Sequence, residues 1–252
     1  LSSQDITIFT GSGKGYSDFT QKLSFFINMV GVPMKIVLSK RKWQWKLQNL
    51  LKMVSAAYTE GFYSKPRIDM ELLEAHHEGL VALSACLAGY IPRALVDGNY
   101  EAAREHAMKM KSLFGDDYYL EIQDHGIDEQ KTVNHGIVRI SRELSIPMVA
   151  TNDAHYLRRE DADTQAILMC IQTNNVITDG RPIGFETDEF YYKTTEEMKM
   201  LFGRYKGAIE NTVKIAQRCN VEFEFGKILL PEFKAEGVSD NYEYMKRMNG
   251  IV

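Results

Sequence analysis

Tyr118-Tyr119-Leu120-Glu121-Ile122, Gln123-Asp124-His125-Gly126, a helical pattern from Asp128 to Leu144, and Pro147-Met148-Val149-Ala150-Thr151 form one continuous stretch. Its reading decides the fold. The first and last pieces are short apolar runs bounded by turn residues, as buried strands are. Between them Ile137, Ile140 and Leu144 recur at helical spacing, so one face of that helix is apolar. Strand, helix, strand is the grammar of a parallel sheet covered by helices. Outward from it the same grammar repeats. Gly79-Leu80-Val81-Ala82-Leu83-Ser84 reads as another strand. Asn99 opens a helix carrying Tyr100, Ala103, Ala107, Met110 and Leu113, which Gly115 stops. Upstream, Asp69 caps a helical turn, and Leu47, Leu50, Leu51, Val54 and Tyr58 mark an amphipathic helix ending near Gly61. Downstream, helices are expected near 160–171, 195–203 and 205–220, with a short hairpin-like segment over Phe185 to Lys193. The fold class is α/β: a parallel sheet or barrel.

The 252 residues, 44% hydrophobic and 25% charged, suffice for a sizeable core and exclude a low-complexity chain. Three widely spaced cysteines, Cys86, Cys170 and Cys219, exclude a disulfide framework and a CxxC knuckle. The most apolar stretch, Leu23 to Leu38, is broken by Ser24, Asn28, Gly31, Pro33 and Lys35, short of the roughly 18 apolar residues a membrane span needs. The first residues lack the basic start and apolar run of a secretory signal. The expectation is a soluble protein of a reducing compartment, most simply the cytoplasm.

Charge divides the chain. Residues 1–52 hold eight Lys and Arg against two Asp, a balance of +6, whereas the rest holds 22 against 32. All six histidines lie in the second part, and both tryptophans lie in Lys42-Trp43-Gln44-Trp45-Lys46. Such asymmetry fits a basic arm for nucleic acid or an acidic surface. It also fits a segment over 1–45 that is not the native partner of residues 46–252, from a truncated or frame-shifted reading. Gly11-Ser12-Gly13-Lys14-Gly15 is no phosphate loop. The Walker pattern needs Gly where Ile8 stands and Ser or Thr where Gly15 stands.

In α/β folds, functional side chains gather at the carboxyl ends of strands. Three ends are chemically unusual here: Ser84-Ala85-Cys86, Gln123-Asp124-His125-Gly126 and Thr151-Asn152-Asp153-Ala154-His155. Asp153 and His155 are two apart, so an extended backbone turns both to one side. Carboxylate and imidazole suit zinc, manganese or iron, and a Cys86 thiolate would favour zinc. The plainer readings are a buried Cys acting as a small hydrophobe and an Asp-x-His pair acting as a hydrogen-bonded loop. Cys170 and Cys219 take the packing reading. His76-His77 reads as a solvated helix end.

Gly61 to Asp69 (GFYSKPRID), Glu78 to Leu95 (EGLVALSACLAGYIPRAL), Tyr119 to Asn134 (YLEIQDHGIDEQKTVN), Pro147 to Leu157 (PMVATNDAHYL), Phe185 to Phe190 (FETDEF) and Asn220 to Phe233 (NVEFEFGKILLPEF) together resemble a known family. It is the PHP (polymerase and histidinol phosphatase) domain of bacterial DNA polymerase III α subunits. The resemblance spans about residues 46–233. It implies a distorted (β/α)7 barrel, incomplete here, whose strand ends can hold up to three metal ions. Residues 234–252 then begin the connection to the polymerase core.

Carried over by motif, Cys86, Asp153 and His155 match metal-ligand positions, with zinc or manganese held weakly, and His125 a position behind the ligands. The family's His-x-His strand, Asp-His-Gly motif, Glu ligand and further His would all precede residue 46, and this chain has no His before His76. Tyr90 stands where a Glu is expected. The resemblance further implies a parent DNA-directed DNA polymerase using magnesium, DNA and deoxynucleoside triphosphates, with other replicase subunits, including a proofreading exonuclease, as partners. For this chain it implies a scaffold with a degenerate metal site and no catalytic residue of its own. The alternative is a metal-dependent PHP phosphoesterase or 3′→5′ exonuclease.

Overall fold

The computed structural model describes residues 7–9, 22–29, 32–38, 43–62, 66–176, 184–218 and 240–250. The glycine-rich run at 11–15, Cys219, and the start of the connection at 234–239 lie outside them. Leu1–Val221 form one unit and Glu222–Val252 a second. In the second, α9 (Asn241–Met248) starts at Asp240, whose carboxylate accepts from the Tyr242 N–H at 2.9 Å.

Six strands form one sheet in chain order: β1 (Thr7–Phe9), β2 (Lys22–Met29), β3 (Val32–Leu38), β4 (Leu80–Leu83), β5 (Tyr118–Ile122) and β6 (Met148–Ala150). β4, β5 and β6 are adjacent and parallel, with Ala82 opposite Tyr118 and Leu120 opposite Met148. That is the arrangement expected from the alternation of apolar runs and helices. β1, β2 and β3 are antiparallel, and β3 joins β4 antiparallel with Lys35 opposite Leu83. The basic segment set apart by its charge thus supplies three strands, which the sequence reading did not place.

The helices between the parallel strands come from local rules. α2 (Met70–His76) is capped by Asp69, which accepts from Leu72 N at 2.8 Å, and α4 (Tyr100–Phe114) by Asn99, which accepts from Ala102 N at 3.1 Å. α5 spans Asp128–Leu144, with two acids in its first turn where the helix dipole favours them. α3 (Tyr90–Val96) escaped the sequence reading. Pro92 sits in its first turn, where the missing N–H costs nothing. Gly136 of α5 lets α3 approach closely, since a Cβ there would lie 2.5 Å from Leu95 Cδ2.

One sheet face carries the main core. Leu80, Ala82, Tyr118, Leu120, Ile122 and Ala150 pack there against apolar residues of α1 (Trp43–Thr59) through α5. In α1 the inward residues are Leu50, Met53 and Ala57, while Leu51 and Tyr58 are about half exposed. The helix is therefore rotated from the face first read. The opposite sheet face holds a smaller cluster: Val81, Leu83, Tyr119, Val149 and Ile215.

α6 (Ala162–Thr173), α7 (Thr195–Phe202) and α8 (Ala208–Arg218) complete the unit. Among the described residues β6 has no further strand beside it. α8 lies there instead, with Asn211 Nδ2 donating to Met148 O at 2.8 Å and Thr212 Oγ1 to Ala150 O at 2.6 Å. Two side chains thus satisfy carbonyls that a neighbouring strand would otherwise take, and the described sheet is open. Among these residues no helix is long and apolar enough to cross a membrane.

Candidate functional site

Because β4, β5 and β6 are parallel, their carboxyl ends share one edge, and the three unusual motifs sit along it. A buried polar layer ties the edge together. Ser84 Oγ accepts from Glu121 N at 2.8 Å, Gln123 Nε2 donates to Glu121 Oε1 and to Thr151 Oγ1 at 3.1 Å each, and Thr151 Oγ1 donates to Glu121 Oε1. Glu121 is 2% exposed, and Gln123 and Thr151 both donate to its Oε1 within this buried layer.

Beyond this layer the backbone bends sharply. Ala85 and Asp153 both have positive φ, 66° and 47°, a region non-glycine residues rarely occupy. The first turns the chain into the Cys86–Gly89 loop, closed by Gly89 N donating to Cys86 O at 2.8 Å. A Cβ on Gly89 would lie 2.4 Å from Ser84 O, so only glycine fits there unstrained. The second turns the chain out of β6, and Asp153 Oδ1 lies 3.8 Å from His155 Nε2 across this turn, where an extended strand was expected.

His125 faces inward, 1% exposed. Its Nε2 donates to Asn152 O at 2.5 Å, and Gln130 Nε2 donates to Nδ1 at 2.8 Å. Gln130 Oε1 also accepts from the His125 N–H at 2.7 Å. This network assigns a neutral ring protonated at Nε2. Burial pushes the His125 pKa down and nearby Lys193 adds to this, against the opposing pull of the Asn152 carbonyl. Both ring nitrogens are committed to the protein. His125 also touches the residue next to Asp153, through the Asn152 carbonyl.

The segment read as hairpin-like, Phe185 to Lys193, has no strand pairing within itself. It runs beside residues 155–157 instead, with a parallel bridge between Tyr156 and Tyr191. Two phenylalanines of this stretch enclose the histidines: Phe190 stacks on His125 with centroids 4.1 Å apart, and Phe185 lies 4.5 Å from His155. Lys193 is buried beside Glu189, and desolvation lowers its pKa. These enclosing residues were not identified as part of the site from the sequence. FETDEF carried the resemblance, but nothing in its spacing named His125 and His155 as its partners.

Of the ligand positions taken from the resemblance, Asp153 and His155 come together. Cys86 is half-buried on the neighbouring loop. Among the described residues no group of three His, Cys, Asp or Glu side chains is placed to hold a metal. His77 closes α2, its Nδ1 2.8 Å from Glu74 O and its ring edge-on to Phe114. Tyr90 stacks on His106 at 4.4 Å.

Comparison with known families matches residues 6–125 to the PHP domain. DNA polymerase III subunit alpha of Treponema pallidum (strain Nichols) is 47% identical over 200 residues, 79% of this chain and 17% of that protein. The chain carries a PHP domain of this polymerase-subunit type. The same subunit of Borreliella burgdorferi is 44% identical over 79% of the chain and 17% of the relative. That of Thermus aquaticus is 39% identical over 80% and 17%. The chain therefore spans about a sixth of the length of these relatives, and the PHP match begins within the basic segment.

Proposed function

We propose that this chain is the PHP region of a replicative DNA polymerase α subunit and serves there as a scaffold rather than a hydrolase. The identity of 47% over 200 residues to a named polymerase subunit carries this reading. The bonding at the strand ends supports the scaffold part, because the imidazole nitrogens of His125 are spent on Asn152 and Gln130. His125 would then fix the Asn152 carbonyl, and through it the turn at Asp153. Extension of a primer 3′ end belongs to the longer parent, where carboxylates hold two Mg²⁺ about 3.5–4 Å apart. DNA, deoxynucleoside triphosphates and other replicase subunits, a proofreading exonuclease among them, would be the parent's partners, in the cytoplasm.

Parallel β4–β6, each connected through helices, suit part of a distorted (β/α)7 barrel over 46–233, with 234–252 leading to the polymerase core. For residues 1–45 the PHP match from residue 6 favours a native segment over the alternative that their charge and composition suggested, a frame-shifted origin. Reading the encoding DNA in all three frames tests it: a His-x-His strand recovered in another frame supports it, and none in any frame removes it.

The function itself is tested by incubating the purified chain with labelled primer–template DNA, Mg²⁺, nucleotides, and Mn²⁺ or Zn²⁺. Neither extension nor shortening is expected. Processive extension, or 3′ shortening that Asp153→Ala abolishes, would overturn the scaffold reading.

A further inference from the structure

The polar and aromatic groups at the β5 and β6 ends are turned onto one neighbouring segment, residues 184–193. That segment is fastened at two separate places. At the β5 end, Thr187 Oγ1 donates to His125 O at 2.7 Å, and the Phe190 ring lies parallel to the His125 ring, 5° between their planes. At the β6 end, Phe190 O accepts from His155 N at 2.8 Å, and Tyr191 O accepts from Asn152 Nδ2 at 2.9 Å. Phe190 stands between the two. It stacks on Phe185 at 4.3 Å and meets His155 edge-on at 5.7 Å. Charges close the outer side, with Arg159 Nη2 2.6 Å from Glu189 Oε1.

We propose that residues 184–193 form a metal-independent strap, pinned by Phe190, that locks the loops after β5 and β6 to each other. The physical ground is where the donor atoms point. A ligand site presents unsatisfied nitrogens and oxygens to a common point. Here His125 offers none, the His155 ring is walled by Phe185 and Phe190, and backbone carbonyls of the strap take the N–H groups of the β6 loop. Phe190 contributes both through its ring and its carbonyl, so the two loops share one fastener. Loosening the strap should therefore release both loops together, even though 124–127 and 152–157 are far apart in sequence.

Amide hydrogen exchange on the full chain, read by mass spectrometry, tests this. In the unaltered protein, exchange over 123–128, 152–157 and 184–193 should change less than twofold with EDTA or with added Zn²⁺ or Mn²⁺. Phe190→Ala should accelerate all three segments together, by about tenfold, and leave α4 unchanged. Faster exchange with EDTA, or slower exchange with stoichiometric Zn²⁺, would show that a metal holds the strap and would overturn the proposal. So would Phe190→Ala loosening 184–193 while both loops stay protected. If Phe190→Ala does not fold, Thr187→Val removes one fastener, and a severalfold rise over 184–193 and 123–128 is expected; no rise overturns the proposal. The strap rests on the scaffold reading but fails separately from it. Nuclease activity with metal-indifferent exchange would sink the scaffold alone, whereas metal-dependent exchange without nuclease activity would sink the strap alone.

Discussion

His106 shows how one residue's surroundings become a measurable property. Stacked on Tyr90 and largely desolvated, it has its pKa lowered from 6.5 to about 4, by burial first and by Lys109 second. Between those two values the unfolded chain binds a proton that the folded one does not. Stability should therefore fall as pH drops from about 6.5 towards 4, and level off below, by on the order of 3 kcal/mol at most. Urea midpoints of the unaltered chain and His106→Gln, taken at pH 7 and pH 4.5, check this. The variant should lose less stability over that interval, and equal losses would count against it. Gly89 is a steric counterpart. Its Cβ space is filled by Ser84 O at 2.4 Å, so Gly89→Ala must push backbone against backbone in the β4–α3 loop. A loss of roughly 2 kcal/mol is expected, read as a lower denaturant midpoint with unchanged slope. Little of either case could be read beforehand. The glycine was quoted within a motif, but the oxygen it makes room for is five residues back and was visible only once the loop had closed.

At the scale of elements, α8 matters more than its position near the end of the unit suggests. Thr212 and Asn211 donate to two β6 carbonyls, so this helix occupies the side of β6 away from β5. Thr212→Val keeps the shape and removes the donor, leaving the Ala150 carbonyl without that bond in a buried setting. A cost of about 1–3 kcal/mol is expected, while Thr212→Ser should cost less because it keeps the hydroxyl. Chemical denaturation of both variants decides this, and equal losses would assign the effect to packing. Helix existence was legible where cap and periodicity agreed, as at Asn99–Phe114, or where periodicity alone was clear, as at Asp128–Leu144. Helix orientation was less so: α1 turned Met53 and Ala57 inward, where the spacing had been read as placing Leu51 and Tyr58 on the apolar face.

For the whole molecule, charge has one consequence that needs no contact map. Residues 1–52 carry +6, enough to attract a DNA backbone without reading its sequence. Non-specific DNA binding is expected at low salt and should weaken steeply between about 50 and 200 mM, because counterions are released on binding. Fluorescence anisotropy with two unrelated duplexes measures it. Binding that is insensitive to salt, or that prefers one sequence, would contradict the electrostatic account.

The sequence by itself determined the strand–helix alternation, the parallel run β4–β5–β6, the edge where polar motifs collect, and the family. Those depend on short-range rules: period, caps, turn residues and the alternation of side chains along a strand. Asp153 and His155 do meet, but through a left-handed turn at Asp153 beyond β6 and not through the extended strand that their two-residue spacing suggested. Only the tertiary structure decided that His125 spends both nitrogens on Asn152 and Gln130, and that 185–193 lies beside 155–157 instead of folding on itself. Each of these depends on which segments come to adjoin across tens of residues. Such pairings are chosen by the burial and hydrogen-bond satisfaction of the assembled chain, and no local pattern encodes the partner.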